Sequence, residues 1–158
     1  MFAGIAQAAR KVGALFLLDD YQSCGTRPLD VKATGCDFYV TGTLKYLLAA
    51  SGIAFLYVRK DLIEQLSPTL TGWFAQRNQF AFDIKHHDPA LSANRFQHGT
   101  PPIPSIYSSL AGIQVLSEIG LANVEQRIAQ LAELFIQKLA RMAGNSKPRW
   151  IRAGRWWC

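Results

Sequence analysis

The chain of 158 residues is long enough for one domain with a core of its own. Hydrophobic residues make up 49% of it and charged residues 18%, a globular composition that excludes a disordered chain. The most apolar stretch, residues 46–58, is too short to cross a bilayer, and residues 1–13 show no basic start followed by an apolar block. We therefore expect a cytoplasmic protein with no membrane partner and no secretory signal.

The first half of the chain predicts a sheet. Residues 3–11 are typical of the end of an alanine-rich helix that stops near Gly13. Short apolar runs over residues 14–18, 37–42 and 52–58 predict three strands, and the first run suits burial on both faces of a parallel sheet. The segment between the first two strands is rich in turn residues and has room for one short helical turn. This order of elements predicts an α/β fold.

The second half predicts helices around a long irregular segment. Residues 61–68 predict a short helix that is broken before Pro68. Residues 68–104 lack a periodic pattern but carry scattered aromatic residues, which indicates a packed loop with a function. Residues 105–120 predict a helix with Ser105 as its N-cap.

The clearest helix is predicted over residues 123–144. Its apolar residues repeat at helical spacing, and Asn123 with Gln126 three positions later matches a capping box. The first domain is therefore expected to cover residues 1–144.

The net charge of +6 suggests a nucleic-acid partner, but the distribution of charge argues against one. Four basic residues lie among the last twelve, which contain no acid, and without them 13 basic residues face 11 acidic ones. Three of the four tryptophans share this tail, residues 145–158. We interpret the tail as out-of-frame translation or another artefact, with a nucleic-acid-binding or membrane-binding segment as the alternative.

The cysteines predict neither a disulfide nor a metal site. Cys24, Cys36 and Cys158 are odd in number, widely spaced and form no CxxC pair, as expected of thiols in a reducing compartment. The three histidines lie far along the chain from them, at no spacing typical of zinc.

Polar side chains follow the ends of the first two predicted strands. Asp19 closes the first strand, where open α/β sheets place ligand-binding groups, although a turn cap explains this residue equally well. Gln22 follows three residues later. Lys45 lies just past the second strand in an apolar stretch, where a surface role is the ordinary one. A desolvated lysine amine, however, forms Schiff bases, and an aspartate nearby can hold a pyridinium nitrogen protonated, as pyridoxal phosphate requires.

These residues, in this order, resemble the class V aminotransferase family of pyridoxal-phosphate-dependent enzymes. The family includes cysteine desulfurases, selenocysteine lyases, kynureninases and isopenicillin N epimerase-like proteins. The resemblance covers roughly residues 13–124 and is carried by "LLDDYQSCGTRPLDV", "GCDFYVTGTLKYLLAASGIAFLYVRKDL" and "RFQHGTPPIPSIYSSLAGIQVLSEIG". It implies an incomplete large domain of fold type I, with a mostly parallel sheet and flanking helices.

The resemblance also implies roles for individual residues. Asp19 matches the aspartate that pairs with the pyridine nitrogen, and Gln22 matches the glutamine that hydrogen-bonds the ring hydroxyl. Lys45 matches the catalytic lysine that forms the Schiff base with the cofactor. Thr100, in "HGTPP", matches a threonine that reaches the phosphate in the partner subunit, which implies a homodimer.

Two positions depart from the family pattern. Members usually have a serine three residues before the lysine and a histidine or tyrosine directly before it, and both contact the phosphate. The chain has Gly42 and Leu44 there, so Thr43 is expected to supply a hydroxyl instead, with Thr41 as the second choice. Asp20 stands where a small residue is common and is interpreted as secondary.

Two residues of the irregular segment keep alternative interpretations. Arg95 is expected in a structural ion pair, with a substrate carboxylate as the alternative partner. Trp73 is expected either to wall the active site or to belong to the core.

Family members are far longer than this chain. From the resemblance, we expect three features of the family to have no counterpart in this chain, namely the residue that stacks on the cofactor ring, the main phosphate-binding turn and the small C-terminal domain. The expected function is therefore that of a fragment of a pyridoxal-phosphate-dependent lyase or transferase that acts on an amino acid through Lys45. The alternatives are an inactive fragment with part of a cofactor site and, last, a nucleic-acid-binding module with a basic tail.

Overall fold

The computed structural model of the chain describes residues 2–142, so the tail and Cys158 lie outside the described residues. Within them the chain forms helices α1 (Phe2–Lys11), α2 (Val31–Thr34), α3 (Lys60–Gln65), α4 (Ile103–Ile119) and α5 (Leu121–Met142). The strands are β1 (Leu17–Asp19), β2 (Phe38–Gly42) and β3 (Ala54–Val58). No helix in the described part is long and apolar enough to cross a membrane.

The three strands form one mixed sheet in the order β1-β2-β3. β1 and β2 are parallel, with Asp19 opposite Val40, whereas β3 runs antiparallel to β2, with Val58 opposite Phe38. A parallel pair needs a crossover of about a dozen residues or more, usually a helix. Residues 43–53 between β2 and β3 contain no helix, and this explains why the second pair is antiparallel.

The core lies between one face of the sheet and the helices α1 and α2. Leu18, Cys36 and Tyr39 are buried at its centre. Partly buried apolar residues surround them, namely Phe2, Phe16, Cys24, Leu29, Val31 and Tyr57. Residues 2–142 cover only this face of β1, since Leu18 is 8% exposed and Leu17 is 53% exposed. The expected burial of the first strand on both faces is therefore not found among the described residues.

Helix α4 begins two residues earlier than predicted. Pro102 is its N-cap, and Ser105, the predicted cap, lies inside the first turn. The Ser105 hydroxyl instead donates a hydrogen bond to the Ser51 carbonyl at 2.8 Å. The predicted cap was wrong because a tertiary contact uses this hydroxyl.

Helix α5 also begins earlier than predicted, at Leu121. Gly120 adopts a positive φ of 82° and is the only residue between α4 and α5. Asn123 is therefore helical, and its side-chain amide donates to the Ile119 carbonyl at 2.6 Å, near the end of α4. The predicted capping box is thus replaced by a side chain that satisfies the preceding helix. The apolar side chains of α5 that are more than a third exposed include Ile128, Leu131, Leu134 and Phe135.

The segment between α3 and α4 contains three short 3-10 turns, Trp73–Ala75, Gln79–Ala81 and Ala93–Phe96. Arg95 is 6% exposed, and its guanidinium donates to the carbonyls of Ala90, Ile63 and Leu66. Within residues 2–142, Arg95 therefore makes no ion pair, contrary to the expectation, and its guanidinium is not open to a substrate. The hydrogen bonds of the planar guanidinium instead connect this segment to the end of α3.

Candidate active site

Four polar side chains line one open depression at the carboxyl edge of β1 and β2. They are Asp19, Tyr21, Gln22 and Lys45, and the depression has a volume of about 580 Å³. Parallel strands bring their carboxyl ends to the same edge, where ligands of open α/β sheets bind. Sequence reasoning singled out three of these residues and missed Tyr21. The volume lies within the range of roughly 300–1,000 Å³ that is usual for small-molecule sites.

The turn after β1 presents Asp19 to solvent and buries Asp20. One carboxylate oxygen of Asp19 accepts a hydrogen bond from the Tyr21 backbone N–H at 3.0 Å. The Asp20 carboxylate is 6% exposed and accepts hydrogen bonds from the hydroxyls of Tyr39, at 2.8 Å, and Ser23. Asp20 therefore anchors the turn on β2, which explains why a carboxylate stands where a small residue is common.

The partner of Asp20 stays a hydrogen-bond donor at all ordinary pH values. Burial raises the pKa of the Tyr39 phenol well above its usual value, and its contacts with the Cys24 thiol and the Asp20 carboxylate raise it further. A protonated phenol beside a buried carboxylate fixes the turn without adding charge. The buried hydrogen bond between Tyr39 and Asp20 thus stabilises the turn that carries Asp19.

Lys45 lies on the loop of residues 43–53, and its side chain is exposed within the described chain. Its Nζ is 4.8 Å from the centroid of the Tyr21 ring, within the range of a cation–π contact. The neighbouring Leu44 and Tyr46 are 51% and 48% exposed. Residues 2–142 therefore do not desolvate Lys45 as the sequence suggested. Apolar neighbours in the sequence do not by themselves cover a lysine side chain, since that requires other elements to pack against it.

Thr43 closes the loop that carries the lysine. Its side chain is fully buried, and its hydroxyl lies 3.2 Å from both the Ala50 and Ile53 carbonyl oxygens. Its backbone N–H donates to Ile53, and its carbonyl accepts from Ala49. The second-choice hydroxyl, on Thr41, is also buried. The geometry of the described residues therefore favours a loop-closing role for Thr43, and its contact with a phosphate stays a prediction.

Helix α4 fastens the same loop from outside. The Ser108 hydroxyl accepts a hydrogen bond from the Ala50 backbone N–H at 2.9 Å. At Gly112 the helix backbone comes so close that an added Cβ would lie 2.2 Å from the Leu47 carbonyl oxygen. The position of Lys45 relative to the sheet is thus set by Thr43 within the loop and by α4 behind it.

The structure explains the glycine at position 42. The Tyr21 ring covers Gly42 so closely that an added Cβ would lie 2.0 Å from Cε2 and 2.5 Å from the hydroxyl oxygen of that tyrosine. Contacts under about 3 Å do not occur for real Cβ atoms, so a serine at position 42 is incompatible with this placement of Tyr21.

Two other predicted residues lie away from the depression. Thr100 is exposed in the segment that precedes α4 and does not line the depression. Trp73 is 37% exposed and stacks on Phe82, with ring centroids 5.7 Å apart. It borders a separate cavity of about 310 Å³ together with Phe82 and His86. Trp73 is therefore part of an aromatic cluster in the loop, not a wall of the site around Lys45.

An aspartate, a glutamine and a lysine lie at the carboxyl edge of the parallel strands, where open α/β sheets bind ligands. The sequence model of the family described as aminotransferase class V matches residues 1–147. The chain belongs to the class V aminotransferase family. The family and fold type predicted from the sequence are confirmed.

The chain is similar to several enzymes of this family. It is 38% identical over 151 residues to the uncharacterized aminotransferase YcbU of Bacillus subtilis, covering 91% of this chain and 40% of that protein. It is 31% identical over 156 residues to a probable cysteine desulfurase of Aeropyrum pernix, covering 91% and 37%. The apo structure of a cysteine desulfurase from Thermococcus onnurineus superposes with a TM-score of 0.77 at 26% identity, covering 94% and 36%. The chain thus spans about two fifths of the length of these relatives.

Side chains of the depression suit three of the four polar groups of pyridoxal phosphate. Asp19 has a carboxylate oxygen not used by the turn, which suits a protonated ring nitrogen. Gln22 is an exposed amide, which suits the ring hydroxyl, and Lys45 is an exposed primary amine, which suits the aldehyde. The phosphate is the fourth group, and neither Gly42 nor Leu44 offers it a side-chain donor.

Proposed function

We propose that this chain carries the cofactor-binding edge of a pyridoxal-phosphate-dependent lyase or transferase that acts on an amino acid. The observation that carries the proposal is that Asp19, Gln22 and Lys45 line one depression at the carboxyl edge of parallel strands. Membership in the class V family supports the choice of cofactor. Its members include the aminotransferase and the desulfurase named above, which supports an amino-acid substrate.

Each residue has a defined task in this proposal. Asp19 holds the ring nitrogen protonated through a charge-assisted hydrogen bond, and the buried Asp20 keeps the turn in place. Gln22 donates from its amide to the ring oxygen. Lys45 provides the amine for covalent attachment, and Tyr21 keeps that amine above the depression through its ring. When bound, the cofactor supplies an electron sink for carbanion chemistry at the substrate.

The lysine also serves as the base of the site. When it is not covalently attached, the Nζ of Lys45 would be free to accept a proton from the substrate or donate one to it. Closure of the loop by Thr43 and α4 sets the position of the Lys45 backbone. Because rate depends strongly on such positioning, we expect the loop contacts to affect turnover without touching the substrate.

Thr100 is the basis for the proposed homodimer. It is exposed and lies outside the depression of its own chain, as a residue that serves a partner's site would. We infer that its hydroxyl reaches the phosphate bound by a second copy.

Titration of the 158-residue protein with pyridoxal phosphate tests the proposal. We expect a saturable visible absorption band that is lost in Lys45→Ala and retained in the matched control Lys60→Ala. Asp19→Asn should weaken binding by about 2 kcal/mol, or roughly 30-fold, because an amide replaces the charged partner of the ring nitrogen. A band of equal affinity in Lys45→Ala contradicts the proposal.

A further inference from the structure

Tyr21 is the one residue lining the depression that the proposed function does not assign to a polar group of the cofactor. It is half-buried, and its backbone N–H makes the hydrogen bond to Asp19. No hydrogen bond within residues 2–142 uses its hydroxyl, which lies beside Gly42 at the end of β2. A phenol is an uncharged donor whose proton can rotate toward an anion.

The phosphate is the one polar group of the cofactor for which the proposed function names no donor from the same chain. Under the proposed function, the other three side chains of the depression serve the ring nitrogen, the ring hydroxyl and the aldehyde. The hydroxyl of Thr43 already lies between two carbonyl acceptors inside the loop and is fully buried. Leu44 offers no donor. Among the four side chains that line the depression, the donor left for the phosphate is the Tyr21 hydroxyl.

We propose that the Tyr21 hydroxyl binds the phosphate of the cofactor, and that Gly42 is present because the tyrosine ring occupies the space of its side chain. A serine at position 42 would start from a Cβ that lies 2.5 Å from the Tyr21 hydroxyl oxygen. A hydroxyl from either residue thus reaches the same place, but both side chains cannot fit together. In this chain, the Tyr21 hydroxyl thus takes the place that a serine hydroxyl at position 42 would otherwise occupy.

This inference rests on the proposed function, and its test separates the two. The dissociation constants of pyridoxal phosphate and of pyridoxal, which lacks the phosphate, are measured by absorbance on the full 158-residue protein. Only the binding that is lost in Lys45→Ala is counted. Tyr21→Phe removes the hydroxyl and keeps the ring, and Tyr21→Ala combined with Gly42→Ser moves the hydroxyl from one residue to the other.

Tyr21→Phe should lower the affinity for pyridoxal phosphate about tenfold or more, the usual effect of losing a hydrogen bond to a charged group. Its affinity for pyridoxal should be unchanged. Tyr21→Ala should lose at least as much affinity for pyridoxal phosphate, and adding Gly42→Ser should restore most of that loss. Gly42→Ser alone should not raise affinity, because the serine and the Tyr21 ring compete for the same space.

Other outcomes contradict the inference in distinguishable ways. Equal affinity of Tyr21→Phe and the parent for pyridoxal phosphate overturns it while the proposed function stands. An equal loss for both ligands also overturns it, because the hydroxyl then acts on a part that they share. Absence of any binding that depends on Lys45 overturns the proposed function and this inference together.

Discussion

Substitution of Thr43 by valine separates a loop-closing role from a phosphate-binding role. Valine has nearly the same shape as threonine but lacks the hydroxyl. The Ile53 carbonyl keeps the hydrogen bond from the backbone N–H of residue 43, so only the Ala50 carbonyl is left without its hydroxyl donor. The lost hydrogen bond is part-buried and Ala50 is exposed, so the expected cost is that of a typical intramolecular hydrogen bond, about 0.5–1.5 kcal/mol.

The assay is urea unfolding of the protein without cofactor, followed by circular dichroism. Thr43→Val should lower the free energy of unfolding by about 0.5–1.5 kcal/mol, whereas the matched control Thr43→Ser retains the hydroxyl and should lose less. The loop-closing role is refuted if Thr43→Val has the same free energy of unfolding as the parent without cofactor and yet binds pyridoxal phosphate more weakly than it binds pyridoxal. That pattern would show that the hydroxyl is a phosphate ligand.

Two further predictions concern packing and ionisation. Gly112→Ala should destabilise the protein by about 1–3 kcal/mol, because the new methyl group meets the backbone of the Lys45 loop. Gly4→Ala, at a helical position with nothing within 4 Å, should be neutral or stabilising in the same unfolding assay. The pKa of Asp83 should lie below that of an ordinary aspartate, because the backbone N–H two residues later and the groups of His86 donate to it. Carbon-13 NMR titration should show a higher midpoint in His86→Ala, and an unchanged midpoint would contradict the assignment.

The sign of the Asp83 effect on stability follows from the direction of its pKa shift. A carboxyl group with a lowered pKa in the folded state stabilises the protein above the pKa of the unfolded state. This contribution is lost as the pH falls through the lowered pKa. It is therefore present at neutral pH and absent in strong acid, and exposure of the group keeps it small.

Local patterns in the sequence predicted the elements that position the site, because strand and helix formation depends on periodicity along the chain. The apolar run of β2 and the helical repeat of α5 were predicted to within a few residues. The helix caps were wrong at Ser105 and Asn123. In both cases a contact with another element takes up the side chain, and no local pattern contains that information.

The candidate site was predictable where a side chain lies at a strand end or shortly after it. Asp19 ends β1, Gln22 and Lys45 lie three residues past the ends of β1 and β2, and the structure brings the three together. Tyr21 was missed because its importance depends on Gly42, which is distant in sequence and adjacent in space. The one available signal was the glycine itself, at a position where the resemblance implies a serine.

Burial could not be predicted from neighbouring residues in the sequence. The apolar residues around Lys45 suggested a desolvated amine, but the described chain leaves its side chain exposed. The same holds for Arg95, whose charge suggested an acidic partner and whose guanidinium donates to backbone carbonyls instead. Both outcomes depend on which elements pack against the residue, and residues far along the chain decide that.

The measurement that tests the central claim most directly is reduction with borohydride in the presence of pyridoxal phosphate, followed by peptide mapping. Reduction makes a covalent link between the cofactor and a lysine permanent. The account predicts that the modified peptide contains Lys45, and that the yield falls in Asp19→Asn. Modification of Lys11, Lys32 or Lys60 with Lys45 unmodified would contradict it.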